Sequence, residues 1–380
     1  TFNFSQPLLK DFGWKVNQRE ILIAHNNIDI SEKDFKQVVL DTIYSIEEAY
    51  WNLVYSIEDL RVRQQSLKLA QDLLAKNQRA VEVGTLAPIE VLSAQSEVAT
   101  READILQTEA LVKNNEDRLK TILNFSEEEE KKYSEIIPVD EPRFEMREAK
   151  LEEALMTALQ SRPDLQAARI DLQNQDINLS YAKNQILPNL SFTASYWSPG
   201  VSGTRILYLD DKPLTGVIVG TIPGGVSDSF KDALNFKYRN WSLGLTLDFS
   251  LSSIFSRASL AQATVNMDQA LLRFKNQEKQ ALLEIKNAVR AVQTNYKRVQ
   301  AYRVARDLAE KKLQAEEERL KVGLSTSFFV LSYQRELASA RISELKAIID
   351  YNLSSANLDK AQGTALEARN IKLSDYMVKD

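Results

Sequence analysis

Residues 81 to 93 read VEVGTLAPIEVLS, and residues 320 to 332 read LKVGLSTSFFVLS. The two stretches match at Val83-Gly84 with Val322-Gly323, and at Val91-Leu92-Ser93 with Val330-Leu331-Ser332. In each, a glycine stands where a helix commonly ends in a left-handed residue. Pro88 in the first stretch and the hydroxyls of residues 325 to 327 in the second suit the start of a following helix. Each stretch therefore predicts the tight tip of a helical hairpin.

Long stretches without glycine or proline flank each tip. Trp14 to Glu82 would reach roughly 100 Å as one helix at about 1.5 Å per residue, and Arg257 to Val322 about the same length. Apolar residues recur in steps of four and three, the heptad pattern of coiled coils. This seam comprises Val39, Ile43, Ile46, Tyr50, Leu53, Ile57 and Leu60, and, 239 residues later, Leu282, Ile285, Val289, Val292, Tyr296 and Val299.

The matching seams predict two tandem structural repeats, residues 1–146 and 147–380. The first would contain a strand at about 1–10, a long helix over 14–82, a return helix over 89–124 and a linker over 125–146. The second would contain helices within 148–186, strands over 189–197 and 241–250 around a loop over 198–240, a long helix over 257–322, a return helix over 327–362 and a C-terminal tail. The predicted fold is mainly α with a small β part, built on long antiparallel coiled-coil hairpins.

The predicted strands alternate apolar residues with small or polar ones. In the last strand the apolar face comprises Trp241, Leu243, Leu245, Leu247 and Phe249. Strands of about ten residues with one apolar face and terminal aromatic residues are typical of a transmembrane β-barrel wall that faces lipid. A half-buried soluble hairpin shows the same alternation. The intervening segment 198–240 holds six of the 11 glycines, which favours a membrane strand pair joined by a long extracellular loop.

The composition excludes several classes of function. The 48 basic and 53 acidic residues give a net charge of −5 without a dense basic stripe, so nucleic acid is not an expected partner. The absence of cysteine excludes disulfides, thiolate catalysis and cysteine-ligated metals. No run of about 18 apolar residues is present, which excludes a transmembrane helix.

The sequence contains no convergent set of polar residues that would suit an enzyme. His25 is the only histidine and lies within a helical pattern, and no phosphate-binding loop or nucleophile elbow is present. We therefore predict no enzymatic activity, no cofactor and no bound metal. A periplasmic adaptor or a soluble coiled-coil scaffold is the alternative, because both carry long hairpins. Two tandem hairpins combined with ten-residue amphipathic strands favour a membrane duct.

Four motifs, in their order along the chain, resemble the TolC-like outer-membrane efflux protein family, the outer membrane factors. They are the two tips, the step Arg162-Pro163-Asp164-Leu165, and Leu187-Pro188-Asn189-Leu190 at the entry to a strand. The resemblance covers essentially the whole chain. It implies an outer-membrane exit duct of a tripartite efflux or type I secretion system in a Gram-negative bacterium. Such a duct is a passive conduit opened by a periplasmic adaptor, or membrane fusion protein, and an inner-membrane pump.

The resemblance also implies how the subunits assemble. Each subunit would supply four β-barrel strands in outer-membrane lipid and long helices of a hollow α-barrel that reaches into the periplasm. Three subunits would close both barrels as a homotrimer. The first short helix and first strand of the family pattern have no counterpart in this sequence, so we expect an N-terminal part upstream of Thr1.

The tips and the residues beside them form the predicted functional site. By resemblance, the adaptor contacts are Gly84, Thr85, Leu86, Gly323, Leu324 and Ser325. In well-known family members, ionic links among a carboxylate, a Tyr, an Arg and two Asp close the periplasmic entrance. The corresponding residues here are Glu90, Leu320, Ser325, Phe329 and Ser332, and only the first matches chemically. We therefore predict a constriction of Glu90, Phe328, Phe329 and Ser332 that closes by apolar contact. The alternative is that the two phenylalanines only pack between neighbouring helices.

Overall fold

A computed structural model describes residues 1–126, 128–129, 135–142, 144–211, 213–249 and 252–373. Most of these residues are helical and a small part is in strands, so the predicted fold class is confirmed. The helices are α1 (Trp14–Asn17), α2 (Arg19–Glu82), α3 (Pro88–Ile122), α4 (Leu151–Ser161), α5 (Pro163–Asn184), α6 (Val226–Leu234), α7 (Ile254–Lys321), α8 (Ser327–Gln362) and α9 (Ala365–Ala368). The strands are β1 (Phe2–Pro7), β2 (Asn189–Trp197), β3 (Arg205–Tyr208), β4 (Ile218–Ile222) and β5 (Asn240–Asp248).

The chain forms two compact units, each built from two separate stretches of sequence. The first unit contains Thr1–Asp29 and Arg169–Arg273, and the second contains Ile30–Ala168 and Phe274–Asp380. These units are not the predicted repeats 1–146 and 147–380, which follow one another along the sequence. The division into repeats stays a prediction.

The first unit contains a three-stranded antiparallel sheet in the order β1-β2-β5, so β1 and β5 are its edge strands. The register pairs Tyr196 with Phe2 on one side and with Trp241 on the other, which places these three side chains on one face. The opposite face carries small and polar residues, including Ser195, Thr193, Ser242, Gly244 and Thr246. A second, smaller sheet pairs β3 with β4.

The heptad residues form the core of the second unit. Leu53 of α2 is fully buried and packs with Ala49 and with Leu119 of the return helix α3. The α7 seam packs on α8 in a cluster that includes Ile285, Val289, Val292, Val299, Ala347, Tyr351 and Leu358. Near the tips, a further cluster combines residues of both hairpins, namely Ala70, Leu73, Ala94, Ala309, Leu313, Val330, Leu331 and Leu337. Of the predicted seam residues, Leu53, Ile285, Val289, Val292 and Val299 are buried, whereas Leu282 is exposed.

The residues Arg162-Pro163-Asp164 lie at the junction of α4 and α5, and the C-terminal end of α8 packs against this junction. The Arg162 guanidinium donates to the carboxylates of Asp164 and Glu284, both at 2.7 Å. Helix α8 ends at Gly363, whose φ of +76° is left-handed. A β-carbon on Gly363 would lie 2.8 Å from the Ser161 carbonyl oxygen, so both backbone conformation and close approach require glycine here.

The predicted bounds of three elements are corrected. The strand predicted at about 1–10 extends only over Phe2–Pro7. The helix predicted over 14–82 is interrupted at Gln18, which lies between α1 and α2. The last strand begins at Asn240 and ends at Asp248, while Ser250 of the predicted strand 241–250 lies outside the described residues.

The helical prediction for 148–186 and the irregular loop predicted over 198–240 are also corrected. Helix α4 begins only at Leu151, because the preceding backbone is tied to α8. The Tyr351 hydroxyl accepts a hydrogen bond from the Arg147 N–H at 2.9 Å and donates to the Glu145 carbonyl at 2.7 Å.

Segment 198–240, which was predicted as one loop, contains β3, β4, α6 and two 3-10 turns, Leu209–Asp211 and Pro213–Thr215.

Two predicted segments are described only in part. The linker 125–146 and the C-terminal tail each extend beyond the described residues. Among the helices that the structure describes, none is long and apolar enough to cross a membrane.

Candidate functional site

The two tips of the second unit have the same backbone geometry. Gly84 and Gly323 both have a φ of +76°. At the first tip the N–H of Thr85 donates to the Ala80 carbonyl at 2.9 Å, and at the second the N–H of Leu324 donates to the Arg319 carbonyl at 2.9 Å. These bonds satisfy carbonyls that the helix end would leave free.

The predicted adaptor-contact residues lie at the turns, and most of them are exposed. Leu86 and Ser325 are half-buried, whereas Gly84, Thr85, Gly323 and Leu324 are exposed. Leu324 is 70% exposed, and the valine before each glycine, Val83 and Val322, is exposed to a similar extent. The tips therefore present apolar side chains to their surroundings.

A buried polar residue lies seven positions before each tip glycine. Asn77 accepts a hydrogen bond from the Ser327 hydroxyl at 2.9 Å and donates to the Glu90 carbonyl at 3.3 Å, so it links the first turns of α3 and α8. Glu316 occupies the matching repeat position and accepts bonds from Ser325 and, at 3.1 Å, from Arg319. The sequence analysis missed both residues. Their signal is a polar residue seven positions before the glycine of both tips.

The structure positions the four predicted constriction residues at the starts of the return helices. The rings of Phe328 and Phe329 contact edge to face with centroids 5.6 Å apart, and the two residues are 59% and 48% exposed. Ser332 is also exposed, one turn further along α8. One carboxylate oxygen of Glu90 is buried and has no hydrogen-bond partner among the described residues. Through Asn77, the Glu90 backbone lies close to the start of α8.

An ion cluster that the sequence analysis also missed joins α3 to α8. Arg101 donates to Glu97 at 2.9 Å, to the Leu331 carbonyl at 3.1 Å and to the Ser66 carbonyl at 2.5 Å. Arg335 also donates to Glu97, and the side chains of Glu97 and Arg101 are both buried. Burial alone would raise the pKa of Glu97, but hydrogen bonds from Arg335 and Arg101 outweigh it and hold the pKa below its ordinary value.

The predicted lipid-facing residues share one face of the sheet in the first unit. Trp241, Leu243, Leu245, Leu247 and Phe249 are each more than half exposed. Phe2 and Phe4 of β1 extend the same face and are likewise exposed. The described chain thus leaves a continuous apolar surface on this side of the sheet.

Comparison with known proteins identifies relatives over nearly the full chain. The sequence profile of the family described as "Outer membrane efflux protein" matches residues 1–124 and 154–364. Outer membrane protein TolC of Vibrio cholerae is 25% identical over 372 residues, which cover 96% of this chain and 76% of that protein. The outer membrane protein VceC of Vibrio cholerae has a similar fold, with a TM-score of 0.69 at 18% identity over 95% of this chain and 78% of that chain.

A second solved structure, the open state of the MtrE outer membrane channel of Neisseria gonorrhoeae, has a TM-score of 0.68 at 18% identity. The similarity covers 96% of this chain and 79% of the MtrE chain. These likenesses confirm the predicted channel fold. Because the family profile matches well over half of the sequence, the chain belongs to the outer membrane efflux protein family, which confirms the predicted efflux role and outer-membrane location.

Proposed function

We propose that this chain is one subunit of a homotrimeric exit duct, a passive conduit for efflux with no catalytic step of its own. The open sheet of the first unit carries this proposal. Strands β1 and β5 are edge strands with unpaired backbone groups, and their shared face is apolar and exposed. Backbone polar groups in a bilayer must be paired, so pairing of these edges with neighbouring copies would close a barrel.

The face formed by Trp241, Leu243, Leu245, Leu247 and Phe249 then contacts lipid, and the small, polar face lines the interior. Native mass spectrometry of the full-length protein in mild detergent tests the assembly. We expect a trimer mass. A monomer that remains soluble and folded without detergent would contradict both the barrel and the lipid face.

The partners follow from the exposed tips. We infer that Gly84, Thr85, Leu86, Gly323, Leu324 and Ser325 contact a periplasmic adaptor, and that the adaptor with an inner-membrane pump opens the duct. The exposed apolar side chains around both glycines support this role, because apolar surface of this kind is usually covered by a partner.

Cross-linking tests the adaptor contact directly, because the chain has no native cysteine. Thr85→Cys and Leu324→Cys are expected to cross-link to a cysteine in the adaptor hairpin. Leu245→Cys, on the proposed lipid face, is the matched control and should not react. Cross-links at Leu245 but at neither tip would show that the proposed orientation is reversed.

The constriction is the third part of the proposal. Three copies of Phe328 and Phe329 around a threefold axis would form an apolar ring that blocks ions by dewetting, with three Glu90 carboxylates beside it. The exposure of both rings in the single chain supports this role, since side chains already packed in a subunit core would not be free to meet on the axis. Ser332 would lie one turn deeper in the same opening.

A further inference from the structure

Helix α6, between β2 and β5, exposes an apolar stripe that the rest of the described chain does not cover. Val226, Phe230 and Leu234 recur every fourth residue and are 69%, 66% and 76% exposed. Such spacing places them on one side of a helix. Asp228 and Asp232 lie on the other side, so the helix is strongly amphipathic.

The residue that follows α6 shows on which side of the sheet the helix lies. The Phe236 ring stacks on Phe2, with centroids 6.4 Å apart, and on Tyr196 at 5.8 Å. Tyr196 pairs with both Phe2 and Trp241 in the register, and all three share the apolar face. The end of α6 is therefore anchored over the apolar face and not over the small, polar one.

The backbone at this anchor is strained, which indicates that the position is fixed. Phe236 has a φ of +51°, a left-handed conformation that bulky residues rarely adopt. The Lys237 N–H closes the turn on the Asp232 carbonyl at 3.0 Å, and the Lys237 ammonium pairs with the Asp232 carboxylate at 3.0 Å. The two ring contacts and these two bonds hold Phe236 in a conformation that it would not adopt alone.

Aromatic residues mark this end of the sheet as the level of a membrane surface. Tyr196, Trp197, Tyr238 and Trp241 all lie where β2 ends and β5 begins. Tyrosine and tryptophan concentrate at the boundary between lipid and water. Lys231 and Arg239 are exposed on and after α6, and such cations attract anionic headgroups.

We propose that α6 binds the lipid surface that surrounds the barrel. Its stripe of Val226, Phe230 and Leu234 enters the acyl boundary, while Lys231 and Arg239 face the headgroups. The helix would thus lie in the plane of the membrane as a collar outside the strand ends. This inference rests on the proposed lipid-facing strand β5, since α6 is placed relative to that face.

Site-directed spin labelling in the full-length trimer, reconstituted in phospholipid vesicles, tests the proposal. Val226→Cys and Phe230→Cys place nitroxides on the stripe. Asp228→Cys, about 160° around the helix from Phe230, is the matched control, and Leu245→Cys reports on β5. The labels are compared for collision with oxygen, which partitions into lipid, and with a water-soluble nickel chelate.

Labels at 226, 230 and 245 are expected to collide more with oxygen than with the nickel chelate, and the label at 228 to show the reverse. Nickel access at 226 and 230 with oxygen access at 245 would overturn the inference and leave the proposed duct intact. Nickel access at 245 as well would overturn the lipid-facing strand itself. Protection of 226 and 230 from both reagents, with spin-spin broadening, would show that a second copy of the chain covers the stripe and would also overturn the inference.

Discussion

The two hairpin tips share a backbone but differ in the side chains that secure it. Both glycines have a φ of +76° and both turns close with the same pattern of N–H bonds. At the first tip, buried Asn77 reaches across to Ser327 of the other hairpin. At the second, buried Glu316 binds Ser325 and Arg319 of its own hairpin. The buried polar residue of the first hairpin therefore links the two hairpins, whereas that of the second binds only within its own hairpin.

The return helices differ in the same way. Glu97 and Arg101 of α3 form a buried ion cluster with Arg335, while the residues 239 positions later are exposed Glu336 and the small residue Ala340. The position of Glu90 corresponds to that of Phe329. The matching backbones thus carry different side chains: Glu97 and Arg101 of the first hairpin bind the second, and exposed Phe329 of the second stands at the position of Glu90.

The largest expected effect concerns the constriction on the second tip. Phe329→Ser should raise single-channel conductance in planar bilayers severalfold, because it removes the apolar ring that excludes water and ions. Ile89→Ser is the matched control, since Ile89 is exposed at the repeat position of Phe328 on the first tip and should leave conductance unchanged.

Unchanged conductance with a lowered melting temperature in Phe329→Ser would show that the Phe329 ring only packs between helices.

In the same bilayers Glu90→Gln should reduce cation selectivity with little change in conductance, because a ring of carboxylates attracts cations. Equal cation selectivity in Glu90→Gln and in the unmodified protein would show that Glu90 does not line the opening.

The second prediction compares two glutamates at matching repeat positions. Glu97→Ala should lower the free energy of unfolding by about 3 kcal/mol, because it leaves the buried Arg101 without its carboxylate partner. Glu336→Ala removes an exposed pair with Lys312 and should cost at most about 1 kcal/mol. Urea denaturation in detergent, followed by far-ultraviolet circular dichroism, measures both. Equal losses would mean that the ion cluster adds nothing beyond an exposed pair.

The parts of this fold that depend on local spacing were predictable from the sequence. Gly84 and Gly323 identified both tips, and the heptads identified buried residues such as Leu53 and Val292. The bounds of α3 and α8 differ from the prediction by at most two residues. Such features depend on residues close together in the sequence, so one stretch carries the whole signal.

The remaining features depend on contacts between distant stretches. Arg101 binds carbonyls of α2 and α8, and no single helix pattern indicates that three elements meet there. The extended backbone before α4 is held by Tyr351, some two hundred residues away. Helix α6 was not predicted, because its nine residues lie within a glycine-rich segment whose turn residues favour a loop. The roles of the tip and constriction residues stay predictions.

The third prediction tests whether the two tips are equivalent in their backbones. Gly84→Ala and Gly323→Ala should each lower the free energy of unfolding by about 1 kcal/mol, because alanine is strained at a left-handed φ. No atom lies within 4 Å of an added β-carbon at either site, so no steric clash adds to this cost. The same urea titration applies. A loss at one tip that is several times the loss at the other would show that a contact, and not conformation, requires that glycine.

The smallest effect is a pH dependence at Glu97, in the ion cluster that joins α3 to α8. Hydrogen bonds from Arg335 and Arg101 depress the pKa of Glu97 in the folded chain below its ordinary value of 4.5. A depressed carboxylate pKa adds stability that is fully present above the unfolded value and is lost as pH falls through the folded value. The stability difference between the unmodified protein and Glu97→Gln should therefore be constant near neutral pH and shrink below about pH 4.5. In Arg335→Gln, which lacks one donor to Glu97, the folded pKa is less depressed, so the loss should be smaller and should be complete at a higher pH than in the unmodified protein. Urea midpoints measured between neutral and acidic pH decide this, and a difference that persists unchanged into acid would show that the Glu97 charge does not contribute to the link between the hairpins.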